Sequence, residues 1–526
     1  MRNYHCPRLL SRLKLDEFEK LHRPGRRLFQ KCYSTHSTVT TGTSDPKLFK
    51  HIPGPKSLPL IGTLLNYVPL LGDYKFDRLH RNGMKKLKKY GKLVKEEIVP
   101  GVNVVWVFDP SDIETVFKSE GRYPERRSHL AVEKYRRERP EIYSNGGLLP
   151  TNGADWWHLR SKFQQALSRP QNVKLYIEQT DAVIQEFIEL IRRHSKSQKP
   201  HDYLHDLSHL FMELVGLVAF DVNLGSLTED GLKNDSRSSK LIKAAETTNS
   251  CVVELDNGLQ LWKFMETPLY KKFKIAYHFM ESVALELVSQ KATAMEKGWK
   301  RNDGHQASLL EQYLLSPDLS HKDIVGMAVD MILAGMDTTS YSSSFALYHL
   351  AMNPESQKLM HQEALKLLPE KSTPVTSQVL NQASYTKAAL KETFRLNPIS
   401  VGIGRILAHD AVLSGFHVPA GTVVVTQNQV SCRLPEYFPD PDRFVPERWL
   451  KGHALYHGSV SPYLVLPFGH GPRSCIARRL AEQNMQILLL KVCRNFKIGW
   501  CGGLLDVRTQ PVNKPDEPVL LTFDEY

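Results

Sequence analysis

The run Phe468-Gly-His-Gly-Pro-Arg-Ser-Cys-Ile-Ala477 sets the tightest limit on how this 526-residue chain can fold. Its glycines and proline oppose regular structure. From Arg478 onward, Leu480, Ala481, Met485, Leu488 and Leu489 fall at helical spacing. Cys475 therefore belongs to a loop that leads into a helix N-terminus, where the positive end of the helix dipole is expected to lower a thiol pKa. Gly469 and Gly471 permit backbone angles that let amide N–H groups turn towards the sulfur. Arg473, two residues earlier, is placed to pair with an anionic group on whatever that sulfur binds. A sulfur in this setting suits an iron ligand. For the residues alone, a buried structural cysteine is the alternative, and His470 is a second possible ligand in the same loop.

The rest of the chain must supply a body for this loop. Its 41% apolar and 24% charged residues are the balance of a globular protein, and the length admits one large domain or several. Seven cysteines form no CxxC pair, which argues against a zinc ribbon; their odd number and irregular spacing argue against a disulfide framework and suit a reducing compartment. No run of about 18 apolar residues occurs, so no membrane-spanning helix is expected. The formal charge of +13 is partly local. Residues 1–40 hold Arg2, Arg8, Arg12, Arg23, Arg26 and Arg27 and three lysines against Asp16, Glu17 and Glu19, followed by a hydroxyl-rich run from Ser34 to Ser44. Arginine-rich, serine-rich and amphipathic describes a mitochondrial presequence, expected here over 1–45. A disordered basic tail, or one touching nucleic acid or anionic lipid, is the other reading.

Ile52-Pro-Gly-Pro-Lys-Ser-Leu-Pro59 is stiff and extended, because each proline fixes its own φ and restrains its predecessor. Leu60 to Leu71 is apolar but broken by Gly62 and Pro69; it is either core or a patch that dips into a membrane face. Val104 to Phe108 is a strand between turn signals. Asn152-Gly-Ala-Asp-Trp156 opens a helix on which Trp156 and Arg160 share a face. Residues 172–300 carry packing helices, and 297–306 a polar surface loop. Ser320-His-Lys-Asp323 is a capping box for a helix that runs to Asn353-Pro354 and spans about 48 Å. Its middle, Ala334-Gly-Met-Asp-Thr-Thr339, is an odd choice for a helix interior. A hydroxyl bonded to the carbonyl four residues back opens a local groove there, and a carboxylate beside a hydroxyl can relay protons. A kinked core helix with satisfied polar groups is the plainer account. Tyr385 to Leu396 is a further helix, with Glu392 and Arg395 on one side and Lys387 and Lys391 on another.

Phe468-x-x-Gly471-x-Arg473-x-Cys475-x-Ala477 resembles the haem-binding loop of the cytochrome P-450 superfamily, with alanine where a final glycine is usual. Four separate motifs in the family's order extend the resemblance over about 50–520. It implies a mainly α fold with a smaller β region, one catalytic domain over 46–526, and haem b between the long central helix and the cysteine loop. It implies that Cys475 is the axial iron ligand. Phe468, Arg473, Trp156, Arg160 and Arg405 would hold the haem, the last four through its propionates. Asp337 and Thr338 would serve oxygen activation, and Glu392, Arg395 and Arg443 would form a buried structural triad. Lys387 and Lys391 resemble the mitochondrial branch, where such lysines receive an acidic ferredoxin of adrenodoxin type; Arg478 and Arg479 would extend that face. Electrons would come from NADPH through a reductase and the ferredoxin. The implied reaction is monooxygenation with O2, on the matrix side of the inner mitochondrial membrane, with peripheral contact to that membrane and no nucleic-acid partner. The wording of Phe468 to Gln483 resembles arthropod enzymes of moulting-hormone synthesis, in particular ecdysteroid carbon-22 hydroxylases. That implies an apolar, sterol-like substrate in a pocket near Met331, Ala334, Ile399, Val401 and Ile403. A mitochondrial detoxifying monooxygenase and a non-oxygenating haem-thiolate binding protein are the rivals.

Overall fold

A capping box starts the helix around which the molecule is assembled. Ser320 accepts from the Asp323 amide while Asp323 accepts from the Ser320 amide, and the helix runs unbroken over His321–Met352. Most of its side chains are buried, because helices lie against it on several sides. The computed structural model describes residues 45–526 apart from 99–100, 197–199, 259, 298–305 and 511. The leader expected over 1–45 lies outside these residues but for Asp45, as does most of the loop expected over 297–306.

The helices expected over 172–300 are Ile177–Ser195, Tyr203–Ala219, Arg237–Asn257 and Pro268–Glu296. Their apolar faces join those of the central helix and of Arg478–Asn495 in one continuous hydrophobic cluster. The protein is mainly α with a small β part, as the resemblance implied.

The β part brings distant segments together. Val104–Val107 pairs antiparallel with Leu93–Glu96 and parallel with Val423–Thr426, and Gly404–Ile406 closes the edge of this sheet. Arg405 is thus fixed opposite Val424. A second sheet sets Leu520–Glu525 between His201–Asp202 and Phe496–Trp500. Within Leu60 to Leu71 the leucines Leu60, Leu70 and Leu71 project outward, while Tyr67 turns into a small aromatic cluster. Among the described residues no helix is long and apolar enough to cross a membrane.

Candidate active site

The cysteine loop folds as its glycines require. Gly469 and Gly471 take φ of 75° and 69°, in the left-handed region. At Gly471 a Cβ would also stand 2.8 Å from a Glu120 carboxylate oxygen. The Cys475 amide donates to the Phe468 carbonyl at 2.7 Å, closing the loop on itself. Ala477 caps the helix Arg478–Asn495 with φ −97°, an angle open to alanine, so the usual glycine is not needed there.

The amide of Ala477 bonds the Cys475 sulfur and, with the nearby Arg160, favours a thiolate. The sequence led us to expect a lowered pKa. In the folded chain burial outweighs both influences and pushes the thiol up. Cys475 is nonetheless exposed. His470, the other possible ligand, packs its ring against Phe117 and Tyr463 while its carbonyl accepts from Arg405.

The central helix presents a matching opening. Along a helix otherwise buried at its middle, Ala334 is exposed and Met331 and Thr338 are half-buried. These residues are three and four apart, hence on one face. Thr338 Oγ1 donates to the Ala334 carbonyl at 2.7 Å, and Ser342 to the Thr338 carbonyl at 2.7 Å. The hydroxyls therefore bond the helix's own carbonyls, and the helix continues unbroken to Met352. Met331, Phe468 and Ile476 lie against the same core cluster.

Asp337 points elsewhere. Its carboxylate accepts from Asn249 Nδ2 at 2.8 Å and from the Tyr341 hydroxyl at 3.1 Å. Burial raises its pKa to about 6 against the pull of the Asn249 and Tyr341 bonds. Consecutive helical residues diverge by about 100°, so Asp337 and Thr338 share a motif but not a direction. Of the apolar residues expected at the pocket, Ile399 is packed with Tyr341 and Phe345, and Ile403 against the sheet cluster.

Four guanidinium groups converge beside the cysteine loop. Arg473 stacks 4.5 Å above the Trp156 ring and donates to the Thr151 carbonyl, but its Nε and Nη1 are buried without a partner. Burial, then Arg126 and Arg405, lower its pKa to about 8. Arg160 donates to Gln164 and is lowered to about 10 by burial. Arg405 pairs with Glu120 and donates to the carbonyls of Gly404 and His470. Arg126 donates twice to the Leu149 carbonyl, and burial and Arg405 lower it to about 10. Buried like charges with unused donors call for anions. A haem, with two carboxylates on an apolar disc, fits this chemistry: Cys475 would take its iron, and Arg160, Arg405 and Arg473 its propionates. Arg126 escaped the sequence reading, since nothing in Pro124-Glu-Arg-Arg marks it.

The structural triad requires a correction. Glu392 and Arg395 are fully buried and joined by bonds of 2.8 and 2.9 Å. Arg443 is not the third charge: its side chain is 75% exposed and lies 3.6 Å from Asp440. The turn at 441–443 points its backbone inward instead, and Arg395 donates to the carbonyls of Pro441 and Arg443. Arg448, on the short 3-10 helix Pro446–Trp449, supplies the guanidinium 3.3 Å from Glu392, and Trp449 Nε1 adds a bond of 2.9 Å.

Lys387, Lys391, Arg478 and Arg479 are all exposed. The Lys391 ammonium sits 4.1 Å over the Trp449 ring, and burial and Arg478 lower its pKa. Arg478 lies over the Phe468 ring and bonds Glu482.

The cytochrome P-450 family model matches residues 52–520. The chain is 48% identical over 478 residues to "Cytochrome P-450 302a1, mitochondrial" of Drosophila melanogaster, covering 90% of this chain and 95% of that one. It is 32% identical over 516 residues to "Probable cytochrome P-450 49a1" of the same fly, covering 93% and 87%. "Probable cytochrome P-450 12a5, mitochondrial", also from the fly, is 32% identical over 457 residues, covering 83% and 84%. With an exposed Cys475 and the unpartnered donors of Arg473 beside it, these matches place the chain in the cytochrome P-450 family, as a haem-dependent monooxygenase.

Proposed function

We propose that the protein is a mitochondrial haem-thiolate monooxygenase that hydroxylates carbon 22 of an ecdysteroid precursor. The observation that carries this reading is the 48% identity, over almost the whole length, with a fly enzyme whose name places it in mitochondria. The resemblance of Phe468 to Gln483 to ecdysteroid carbon-22 hydroxylases supports the substrate.

When bound, the haem supplies dioxygen activation, and a thiolate ligand favours O–O cleavage. The chain's own residues do the rest. Cys475 gives the sulfur, and the Ala477 amide steadies its charge. Ala334 and Met331 offer the apolar surface beside which a sterol would lie. Thr338 holds a proton at Oγ1, now donated to the Ala334 carbonyl, and can pass it on when that bond opens. Burial raises the Asp337 pKa to about 6, which suits a proton donor, but its carboxyl faces Asn249 and Tyr341. Its proton reaches Thr338 only after a side-chain rotation or through water. Lys387, Lys391, Arg478 and Arg479 would receive an acidic ferredoxin, and the outward Leu60, Leu70 and Leu71 would touch the inner mitochondrial membrane on its matrix side.

The test is incubation of the purified holoenzyme with NADPH, a ferredoxin reductase and a ferredoxin of adrenodoxin type, over a panel of ecdysteroid precursors. The expected product carries one new hydroxyl at carbon 22. Hydroxylation at another carbon, or turnover of unrelated apolar compounds alone, overturns the substrate assignment.

A further inference from the structure

Three ligating side chains outside the haem site converge where two helices and a strand meet. His194 stands near the end of the helix Ile177–Ser195, His201 in the strand His201–Asp202, and Asp206 in the first turn of Tyr203–Ala219. We propose that His194, His201 and Asp206 bind a single divalent transition-metal ion of the zinc class.

The geometry is that of a site built by its backbone. His201 is held by pairing of its strand with Leu521, and the turn into the following helix is fixed by the Asp202 side chain, which accepts from the Leu204 amide at 3.0 Å. That turn sets the Asp206 carboxylate under the two imidazoles. Asp206 Oδ2 lies 2.5 Å from His201 Nε2 and 3.8 Å from His194 Nε2. One ligand atom from each residue falls within 4.8 Å of the others. Zinc takes nitrogen and carboxylate oxygen at about 2.0–2.2 Å in a tetrahedron, so neighbouring ligand atoms stand about 3.3 Å apart. The His194 separation is close to that value, whereas His201 and Asp206 stand in direct hydrogen-bond contact and would move apart by about 0.8 Å to admit the ion.

The imidazole rings stack at 4.0 Å with 18° between their planes, and Tyr203 meets both edge-on. A metal ion held between these three ligand atoms would contact both imidazoles and the carboxylate. The carboxylate is buried and both histidines are about one-third exposed, so the site opens to solvent on one side and keeps a fourth position for water. Two imidazoles and one carboxylate suit zinc or copper rather than calcium or magnesium. The neighbouring Arg193 is turned towards Glu229 at 3.5 Å and leaves the carboxylate to the histidines.

The test uses the full-length holoenzyme, freed of metal by dialysis against a chelator and titrated with Zn2+ by calorimetry and against a chromophoric zinc competitor. One equivalent is expected, with a zinc-dependent rise in Tm. Co2+ should give the visible absorption of a low-coordinate nitrogen and oxygen site. His194→Ala and His201→Ala together, and Asp206→Asn alone, should weaken binding at least about 10-fold. His205→Ala, which alters the adjacent His205–His209 pair at 3.3 Å, should leave it unchanged. The carbon-monoxide spectrum of each variant checks that it has folded. Absence of a stoichiometric site, or equal affinity in the double variant, overturns the proposal and leaves His201–Asp206 a plain ion pair.

Discussion

At the scale of single residues, charge burial decides most outcomes. Glu392 is fully enclosed by Arg395, Arg448, Trp449 and the Val445 amide. Arg448→Ala should therefore destabilise the protein by about 1–3 kcal/mol, because Glu392 and the Asp440 carbonyl each lose a buried hydrogen-bond donor. Arg443→Ala should cost no more than about 0.5 kcal/mol, since its side chain is mostly in water. Denaturant titration of the two variants separates them; equal losses would restore Arg443 to the cluster. Asp337 gives a pH signature. Its folded pKa, about 6, lies above its ordinary value of 3.8. The folded state therefore holds a proton that the unfolded chain has lost between those pH values. Stability from this group is full below about pH 4, falls as pH rises to about 6, and is lower by about 3 kcal/mol above that. Asp337→Asn should remove this dependence, so its Tm should gain on wild type between pH 5 and pH 7.5. Cys475→Ser should abolish the red-shifted carbon-monoxide spectrum of thiolate-bound ferrous haem; its persistence would place the ligand elsewhere.

Between elements, the tie of interest joins Arg237–Asn257 to the central helix. Asn249 donates 3.2 Å to the Leu333 carbonyl and 2.8 Å to Asp337. Asn249→Ala removes a bond that favours the Asp337 carboxylate, so the Asp337 pKa should rise further and the alkaline limb of the turnover profile, where this donor loses its proton, should move to higher pH. An unchanged profile would take Asp337 out of proton delivery. The basic face spans the ends of two helices, Ser384–Leu396 and Arg478–Asn495. Reversing charge at Lys387 and Lys391 should raise the KM for ferredoxin at least about 10-fold while the carbon-monoxide spectrum stays intact. Unaltered ferredoxin kinetics would move the docking face elsewhere.

For the whole molecule, a net charge of +13 implies that association with an acidic partner is steered over distances salt can screen. Turnover at limiting ferredoxin should fall steeply between low and physiological ionic strength. Much of this molecule was legible in the chain. The capping box at Ser320, the two glycines before Cys475 and the i, i+3 pair Glu392–Arg395 each act within a few residues, where spacing fixes geometry. What spacing cannot express is which way a side chain turns and what arrives from far along the chain. Asp337 and Thr338 are neighbours in sequence, yet helical rotation sends one to Asn249 and the other to the open face. Arg448 replaces Arg443 because a turn points carbonyls inward at one and a guanidinium inward at the other. Cys475 is pushed up in pKa because packing, which is non-local, outweighs the local amide. The convergence of Arg126, Arg160, Arg405 and Arg473, and of His194, His201 and Asp206, likewise exists only once the strands and helices have met. Short-range chemistry was written in the residue order, whereas orientation, burial and long-range charge balance depend on where the backbone carries each group, and only the folded structure decided them.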